Sequence, residues 1–406
     1  MARLLLSQGL FLVLSFLSIV RYAAAVGTPF GRATGTTGGG SAAPATPTSL
    51  DQLNSWLSDS TARVIVLDKI FDYTTSEGTV TANACKPWTC SPNPQLAIDA
   101  NNWCESDGVP ASTTVTYNAA GTTPLKVASN KTLLGKGNNA GLRGKGLKIS
   151  GASNIIIQNI KIVDINAQYV WGGDALQIDG GNKIWIDHNY FQNIGRQMVV
   201  TGYGAVTATT FSNNVFNGQS TYSPFCNGEA YWTALFTGNG DQITFALNYL
   251  YMTSGRGPHV GVSTSDDIHF LNFGTLEQAV TSKMFTFTIT TSVGFHIDGH
   301  AIDPEVGSKV LAEGNYFNTV SQPALEGDGQ TYIPTTSAQA TACQSLLGRN
   351  CVLNTLLSSG ALTSDAQTDT GTLNGFTDSI SKGASIMDPS QVGGHVQANA
   401  GVGIVN

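Results

Sequence analysis

The stretch IWIDHNYF, residues 184–191, joins a run of β-forming side chains to an asparagine and then to a second apolar run. The same arrangement recurs along the chain in IIIQNIKI, TFSNNVFN, ITFALNYLY, IHFLNF and VLAEGNYF. Its asparagines follow one another at steps of 30, 25, 34, 24 and 43 residues. They are Asn159, Asn189, Asn214, Asn248, Asn272 and Asn315. No amphipathic helical pattern fills the gaps, which argues against alternating strands and helices.

Such a repeat predicts an all-β solenoid of parallel strands. Each coil would bury apolar side chains inside, and stacked asparagines would hydrogen-bond to one another along the turns. Residues 50–56 are expected to form a short helix that, with the strand 63–68, caps one end of the fold. A β-sandwich is the alternative, but a sandwich has no need of a repeated asparagine at the ends of its strands.

Composition limits the possible partners. The chain of 406 residues has 12% charged residues, 46 glycines and a net charge of −7. Nucleic acid is excluded as a partner, because no basic run is present to neutralise phosphates. A fully ionised polyuronate would be repelled at long range, whereas a neutral, esterified polymer would not.

The first 25 residues read as a signal peptide. Arg3 precedes an apolar run over residues 4–20, and three alanines at 23–25 offer a cleavage site. A membrane anchor is the alternative, but 17 residues interrupted by Ser7, Gln8 and Gly9 are marginal for a span. We therefore expect a secreted, extracellular protein that begins at Val26 and has no membrane segment in its mature form.

The rest of the chain divides into two parts. Residues 26–48 are rich in Gly, Ser and Thr and are expected to form a flexible leader, followed by the β-helix domain at 49–406. Six cysteines suit an oxidising compartment, and Cys343 and Cys351 are close enough in sequence to pair locally. The spacings do not suit a structural zinc site. Asn130 heads the sequon Asn-Lys-Thr, so one glycan is expected there.

Several motifs together resemble the fungal pectin lyases of polysaccharide lyase family 1, in the pectate lyase superfamily. They are VWGGDAL at 170–176, IWIDHNYF at 184–191, IGRQMVV at 194–200, NGEAYW at 227–232 and SGRGPHV at 254–260. The resemblance runs from residue 26 to the C-terminus, with one interruption. It implies a right-handed single-stranded parallel β-helix with long loops that form a cleft. It also implies a monomeric enzyme that cleaves methyl-esterified homogalacturonan internally by β-elimination and leaves a 4,5-unsaturated sugar. The disulfides it implies are Cys85–Cys104, Cys90–Cys226 and Cys343–Cys351.

An eliminating enzyme needs a base for the proton α to the carboxyl carbon, and a cation for the charge that then develops on the carboxyl oxygens. Calcium held by carboxylates does the second task in pectate lyases that resemble this fold. Here Asp174 matches the first acidic position, but the next positions are Arg196 and Val200. We therefore expect a fixed cation in place of the metal, with no cofactor and no metal site.

Arg256 matches the position that the resemblance assigns to the proton-abstracting base. Arginine is effectively always protonated in proteins, so this role requires a desolvated cleft with a neighbouring cation such as Arg196. Stabilising the charge on the carbonyl is an equally open role. His259 stands where related lyases often carry lysine, and it would make the site sensitive to pH.

Aromatic side chains are expected to line the cleft, with their ring faces against sugar rings and methyl esters. The resemblance places Trp88, Trp103, Trp171, Tyr231 and Trp232 there. Asp187 and His188 of IWIDHNYF, in contrast, are expected to have a structural, hydrogen-bonded role.

One segment departs from the repeat. Residues 274–294 follow IHFLNF, and without them the last asparagine step would be 22 residues instead of 43. Their core, MFTFTITT, is a strong β former without charge and would be prone to aggregation if exposed. We interpret the segment as foreign to the fold and hypothesise a retained intron; a surface loop between coils is the alternative.

Three other functions stay open at this stage. The first is a calcium-dependent pectate lyase, which Arg196 and Val200 disfavour. The second is a hydrolase, which needs two facing carboxylates, whereas Asp266 and Asp267 lie in a turn-like STSDD. The third is an inactive pectin-binding β-helix, crippled by the insert.

Overall fold

The predicted parallel β-helix is confirmed in a computed structural model, which describes residues 25–261, 285–290, 292–362 and 368–405. Within these residues the chain winds so that equivalent strands of successive coils pair in parallel on three faces. Val199 pairs with Ala234, Ile184 with Thr209 and Tyr190 with Val215, one pair on each face. Connections between parallel strands of one sheet are right-handed almost without exception.

Each face has its own set of strands. The first sheet contains Leu125–Val127, the starts of Leu147–Gln158 and Leu176–Asp187, Val199–Thr201, Ala234–Phe236, His259–Val260 and the end of Val293–Pro304. The second contains Pro44–Ala45, Arg63–Leu67, Lys131–Gly135, the ends of Leu147–Gln158 and Leu176–Asp187, Val206–Ser212, Gln242–Ala246, Phe285–Thr290, Ser308–Glu313 and Gln330–Tyr332. The third contains Ile70–Asp72, Gly141–Arg143, Lys161–Ile165, Tyr190–Ile194, Val215–Asn217, Tyr249–Thr253, the start of Val293–Pro304, Tyr316–Ala324 and Thr355–Leu357.

The interior is filled by side chains that alternate inward along every strand. Phe191 and Phe216 stack on successive coils with ring centroids 5.2 Å apart, and Phe216 continues to Phe245 at 5.7 Å. All three are at most 1% exposed. A continuous apolar core therefore runs along the axis, and each coil is stabilised by its neighbours.

The asparagines form the predicted row in the turn between the second and third sheets. The backbone N–H of Asn189 donates to Oδ1 of Asn214, and that of Asn214 donates to Oδ1 of Asn248, each at 3.0 Å. The row continues through Ser292 to Asn315 and Asn354. Asn354 is an addition that the repeat did not reveal.

Asn272 lies outside the described part of the chain, and Ser292 fills the place between Asn248 and Asn315. Residues 285–290, from the segment we interpreted as foreign, form a strand between Gln242–Ala246 and Ser308–Glu313. Residues 274–284 lie outside the described residues, so the retained intron stays a prediction.

Residues 26–48, for which the composition predicts a flexible leader, are hydrogen-bonded to the β-helix in the structure. The segment packs along the outer face of the second sheet and covers Trp185, which is 3% exposed. Its backbone amides find polar partners on that face: Ala33 donates to Oγ1 of Thr210 at 3.0 Å, and Gly39 donates to Oγ1 of Thr132 at 3.0 Å. A Cβ on Gly39 would lie 2.1 Å from a backbone oxygen, so the glycines serve close approach here rather than flexibility.

Helices are few and peripheral. The expected N-terminal helix spans Leu50–Ser58, is capped by Ser49 and buries Leu53 and Leu57 in the main core. The other α-helices are Trp103–Ser106, Ser337–Ala342, Gln344–Leu347, Ser379–Lys382 and Pro389–Asn399, and the 3-10 turns are Gly31–Ala33, Ala100–Asn102, Ala119–Thr122 and Thr370–Phe376. None of the helices in the described ranges is long and apolar enough to cross a membrane.

Long loops precede the strands of the first sheet. One excursion carries the strands Thr79–Cys85, Leu96–Ile98 and Thr113–Asn118, and it pairs with the short strand Tyr169–Val170. Disulfides anchor these loops as the resemblance implied, Cys85 to Cys104 and Cys90 to Cys226, and Cys343 to Cys351 closes a small C-terminal loop. The predicted disulfide pairing is confirmed.

Candidate active site

The outer face of the first sheet forms the floor of a groove. Three side chains that pair in register on this sheet point into the core: Leu176, Val199 and Ala234. The residue that follows each of them in its strand therefore points outward. We call these outward residues the groove row. It consists, in coil order, of Lys126, Lys148, Gln177, Val200, Leu235, His259 and Asp303. Neighbouring members stand about 4.8 Å apart, although up to 44 residues separate them in sequence.

Asp174 and Arg196 form an ion pair in the loops that enter the groove. Nε of Arg196 donates to Oδ1 of Asp174 at 2.8 Å, and Nη2 donates to Oδ2 at 2.7 Å. Gln177 and the backbone of Gln197 donate to the same carboxylate, each at 2.9 Å. The guanidinium also lies 4.1 Å from the ring centroid of Trp171. Such a forked, stacked arrangement fixes the arginine in position.

Arg256 lies two coils further along and is 6% exposed. Its guanidinium carbon is 4.9 Å from the ring centroid of Trp232 and 5.8 Å from that of Tyr231. Its backbone has a φ of 50°, and its N–H donates to Nε2 of His300 at 3.3 Å. The backbone that presents this side chain is therefore in an unusual conformation, held by a neighbouring coil.

Arg196, the neighbour expected for Arg256, belongs to a coil two turns away. The coil that carries Tyr231 and Trp232 lies between the two arginines, so their strands are two spacings, roughly 10 Å, apart. Arg256 instead lies against the rings of Trp232 and Tyr231, and its backbone N–H binds His300, which in turn lies 3.5 Å from Asp303.

His259 belongs to a buried polar group at the end of the groove row. Its Nδ1 lies 2.7 Å from Oδ2 of Asp303, and Nε2 of His300 lies 3.5 Å from the same oxygen. Burial raises the pKa of Asp303, but hydrogen bonds and charges from the two histidines outweigh this and leave the pKa below its ordinary value. Glu305 lies close enough for His259, Asp303 and Glu305 to offer ligand atoms within 4.8 Å of one another.

The predicted aromatic residues gather in one cluster beneath and beside the arginines. Trp103 meets Trp171 edge to face, and Trp232 contacts both Trp88 and Tyr231. Trp103 and Trp232 are each 5% exposed, so they support the cleft wall and do not offer an open face to a sugar. Trp88, Trp171 and Tyr231 are partly exposed, and a role as a sugar platform stays a prediction for them.

Sequence reasoning missed Asp303, His300 and Glu229. Glu229 lies in NGEAYW but is only 5% exposed, and burial raises its pKa to about 7. The backbone N–H of Asp298 donates to it at 3.3 Å, while the Asp298 carboxylate raises the pKa further. Glu229 and Arg256 contact Asp298 and His300 of a later coil. The irregular segment 274–294 lies between these residues in sequence, so the spacing of the repeat does not predict the contacts.

Three predicted residues, Asp187, His188 and Asn130, lie away from the groove. Nδ1 of His188 lies 2.6 Å from Asp187, whose carboxylate also accepts from Gln158, Ser212 and Asn213, in agreement with a structural role. Asn130 is exposed, in the turn before the second-sheet strand Lys131–Gly135.

One groove of this parallel β-helix contains an anchored arginine–carboxylate pair and a second arginine flanked by aromatic rings. These features define a polysaccharide lyase of the β-helix class. The chain belongs to the pectate lyase family, whose model, described as Pectate lyase, matches residues 6–403.

Curated relatives support the assignment. The chain is 43% identical over 383 residues to probable pectin lyase F-2 of Aspergillus terreus, an alignment that covers 93% of this chain and 74% of the relative. It is 41% identical to pectin lyase D of Aspergillus niger, with 90% and 93% covered. Among solved structures, a pectate lyase from Bacillus sp. N165 in complex with trigalacturonate matches with a TM-score of 0.56 at 19% identity, with 93% of this chain and all of that chain covered. That structure supports the fold alone.

Proposed function

We propose that the protein is a secreted pectin lyase that cleaves (1→4)-α-D-galacturonan methyl ester internally by β-elimination, without calcium. The names of the relatives at 41–43% identity support the activity. The observation that carries the calcium-free mechanism is the forked ion pair of Arg196 with Asp174. It occupies both oxygens of the carboxylate that would otherwise bind a metal.

The surroundings of this pair favour a neutral substrate. Calcium prefers six to eight oxygen ligands, several of them carboxylates. The groove row offers Gln177, Val200 and Leu235 at this point, an amide and two apolar side chains. This floor suits a methyl ester, which carries no charge and is a poor calcium ligand. A calcium-bridged, ionised carboxylate would find few partners here.

The elimination requires two events at the bound sugar. The proton on C5 is removed, and its electrons form the 4,5 double bond while the bond from C4 to the glycosidic oxygen breaks. Negative charge develops on the carbonyl oxygen of the ester, and fixed cations stabilise it. Arg256 lies against the buried ring of Trp232 and the partly exposed ring of Tyr231, so we assign it to the reacting carbon, as base or as carbonyl partner. Arg196 supplies positive charge two coils away.

Further properties of the proposal come from the sequence. We infer secretion after removal of residues 1–25, one glycan on the exposed Asn130, and action as a monomer on methyl-esterified pectin.

The test is an assay of the secreted protein on highly methylated pectin and on polygalacturonate, each with and without a chelator. The proposal expects ultraviolet-absorbing unsaturated product from methylated pectin, unchanged by the chelator. Activity confined to polygalacturonate and abolished by chelation would replace it with a calcium-dependent pectate lyase. New reducing ends without absorbance would indicate a hydrolase, and no product would indicate an inactive binding protein.

A further inference from the structure

The groove row continues past the proposed reacting centre to a pair of lysines. Lys126 and Lys148 pair in register on neighbouring strands, and Lys148 pairs with Gln177. Their flanking residues Leu125 and Leu147 are buried in the core, so both lysines stand on the outer face. Lys126 is exposed and Lys148 is half-buried. Two ammonium groups therefore extend the groove floor on one side of Val200.

These two lysines differ from others nearby in the chain. Lys131 and Lys145 are buried and form ion pairs with Asp59 and Glu77. Over the described ranges, no ion pair joins Lys126 or Lys148 to a carboxylate. Two acids lie near Gln177: Asp174 is occupied by Arg196, and Asp179, two positions along the strand, accepts a hydrogen bond from the backbone of Gly204 at 3.2 Å. Lys126 and Lys148 therefore do not serve, as Lys131 and Lys145 do, as partners of a carboxylate within the fold.

The groove therefore changes character along its length. At Val200 and Leu235 the floor is apolar, which suits an esterified sugar. At Lys148, two strand spacings or roughly 10 Å from Val200, it is cationic. A lysine ammonium is a compact, strongly hydrated charge that attracts a carboxylate without demanding one geometry. The molecule as a whole carries a net charge of −7 and would repel an acidic chain, so a local positive pair is needed to hold one.

We propose that Lys126 and Lys148 form an outer subsite for a free galacturonate carboxylate, on a chain whose cleaved sugar is methyl-esterified. This inference rests on the proposed pectin lyase activity and specifies its substrate. The substrate that uses this subsite is then a partly esterified pectin, with an acidic sugar four to five coils from Arg256 and the bond that is cleaved. Fully esterified pectin is still cleaved, but it binds more weakly.

The experiment compares the wild type with the double variant Lys126→Gln/Lys148→Gln on fully methylated pectin and on pectin with randomly removed esters. We expect the double variant to raise the KM on the partly esterified substrate by roughly three- to tenfold, with kcat kept. The KM on fully methylated pectin should not change. High salt should abolish the difference, because exposed charges are screened. Lys183→Gln, an exposed lysine outside the groove row, is the matched control.

Two results would overturn the proposal: no preference of the wild type for the partly esterified substrate, or an equal effect of the double variant on both substrates. Isothermal titration calorimetry with a short, unesterified oligogalacturonate measures binding to the subsite even if the protein has no lyase activity. Weaker binding by the double variant than by Lys183→Gln supports the subsite, and equal binding rejects it. Absence of cleavage of fully methylated pectin would reject the proposed function alone.

Discussion

The guanidinium of Arg196 and the carboxylate of Asp174 meet from loops of neighbouring coils, with two parallel hydrogen bonds of 2.8 and 2.7 Å. They lie 22 residues apart in sequence, which is one turn of the β-helix at this point. Asp174 is 3% exposed, so the pair is shielded from water. Charge-assisted, forked bonds in such a setting hold the cation rigidly and keep it available at the wall of the groove.

Replacement of Arg196 by lysine tests the geometry of this cation, because lysine keeps the charge and loses the fork. We expect kcat/KM on methylated pectin to fall by about tenfold, because the cation that acts two coils from Arg256 is no longer held in one position. Steady-state kinetics and a thermal melt measure it. Arg143→Lys, which changes an exposed arginine paired with Asp72 and Asp164, is the control and should keep activity. Equal losses in the two variants would contradict the prediction.

The repeat predicts the fold because a solenoid stacks equivalent residues of successive coils on one another. Asn189, Asn214 and Asn248 follow from that rule directly. The loops do not obey it, since their lengths vary from coil to coil. The contact of His259 with Asp303 spans 44 residues and includes the irregular segment, so spacing gave no signal for it.

Burial was equally hard to predict for the aromatic residues and the leader. Trp171 and Trp232 both pack against the disulfide-anchored loop, through Trp103 and Trp88, yet Trp232 is buried and Trp171 is partly exposed. The segment at 26–48 has the composition of a linker, but it docks through hydrogen bonds to Thr and Gln side chains on the sheet. Composition does not reveal such partners, because they lie 93 to 177 residues away.

Gly255 allows Tyr231 to pack beside Arg256. A Cβ at Gly255 would lie 2.3 Å from the Tyr231 ring, closer than real atoms approach. Gly255→Ala should therefore displace the ring and lower kcat/KM on methylated pectin by at least tenfold, with a smaller loss of stability. Gly394→Ala is the control, because its Cβ would meet open space within the helix Pro389–Asn399. A Gly255→Ala enzyme of full activity would show that the ring position is unimportant.

Asp303 holds His259 and His300 together, and its lowered pKa predicts how stability depends on pH. A carboxyl with a lowered folded pKa stabilises the protein above its ordinary pKa of 3.8, and this contribution is lost as the pH falls below that value. Asp303→Asn should lower the free energy of unfolding by about 2 kcal/mol at pH 6. The difference should narrow below pH 4. Denaturant unfolding across this range measures it, and a difference that does not vary with pH would contradict the assignment.

The segment 274–294 has a genetic test. We predict that mature transcripts lack the bases that encode it, since its removal restores a coil of ordinary length before residue 295. Sequencing of transcripts from cells that secrete the enzyme measures this directly. Reads that run through the segment would establish it as part of the protein, with the strand Phe285–Thr290 as an ordinary member of the second sheet.

Glu229 should make the protein less stable as the pH rises. Its pKa is about 7 in the folded state against an ordinary value of 4.5, because burial disfavours the charged form. Between these two values the unfolded chain has released a proton that the folded chain still holds, so unfolding becomes progressively more favourable. Glu229→Gln removes this cost and should leave stability unchanged at pH 4 but raise it by up to about 3 kcal/mol at pH 8. Glu105→Gln, at an exposed carboxylate, is the control. Denaturant unfolding at pH 4, 6 and 8 with the disulfides intact gives the result, and a Glu229→Gln variant less stable than the wild type at pH 8 would show that the carboxylate is paired instead of merely buried.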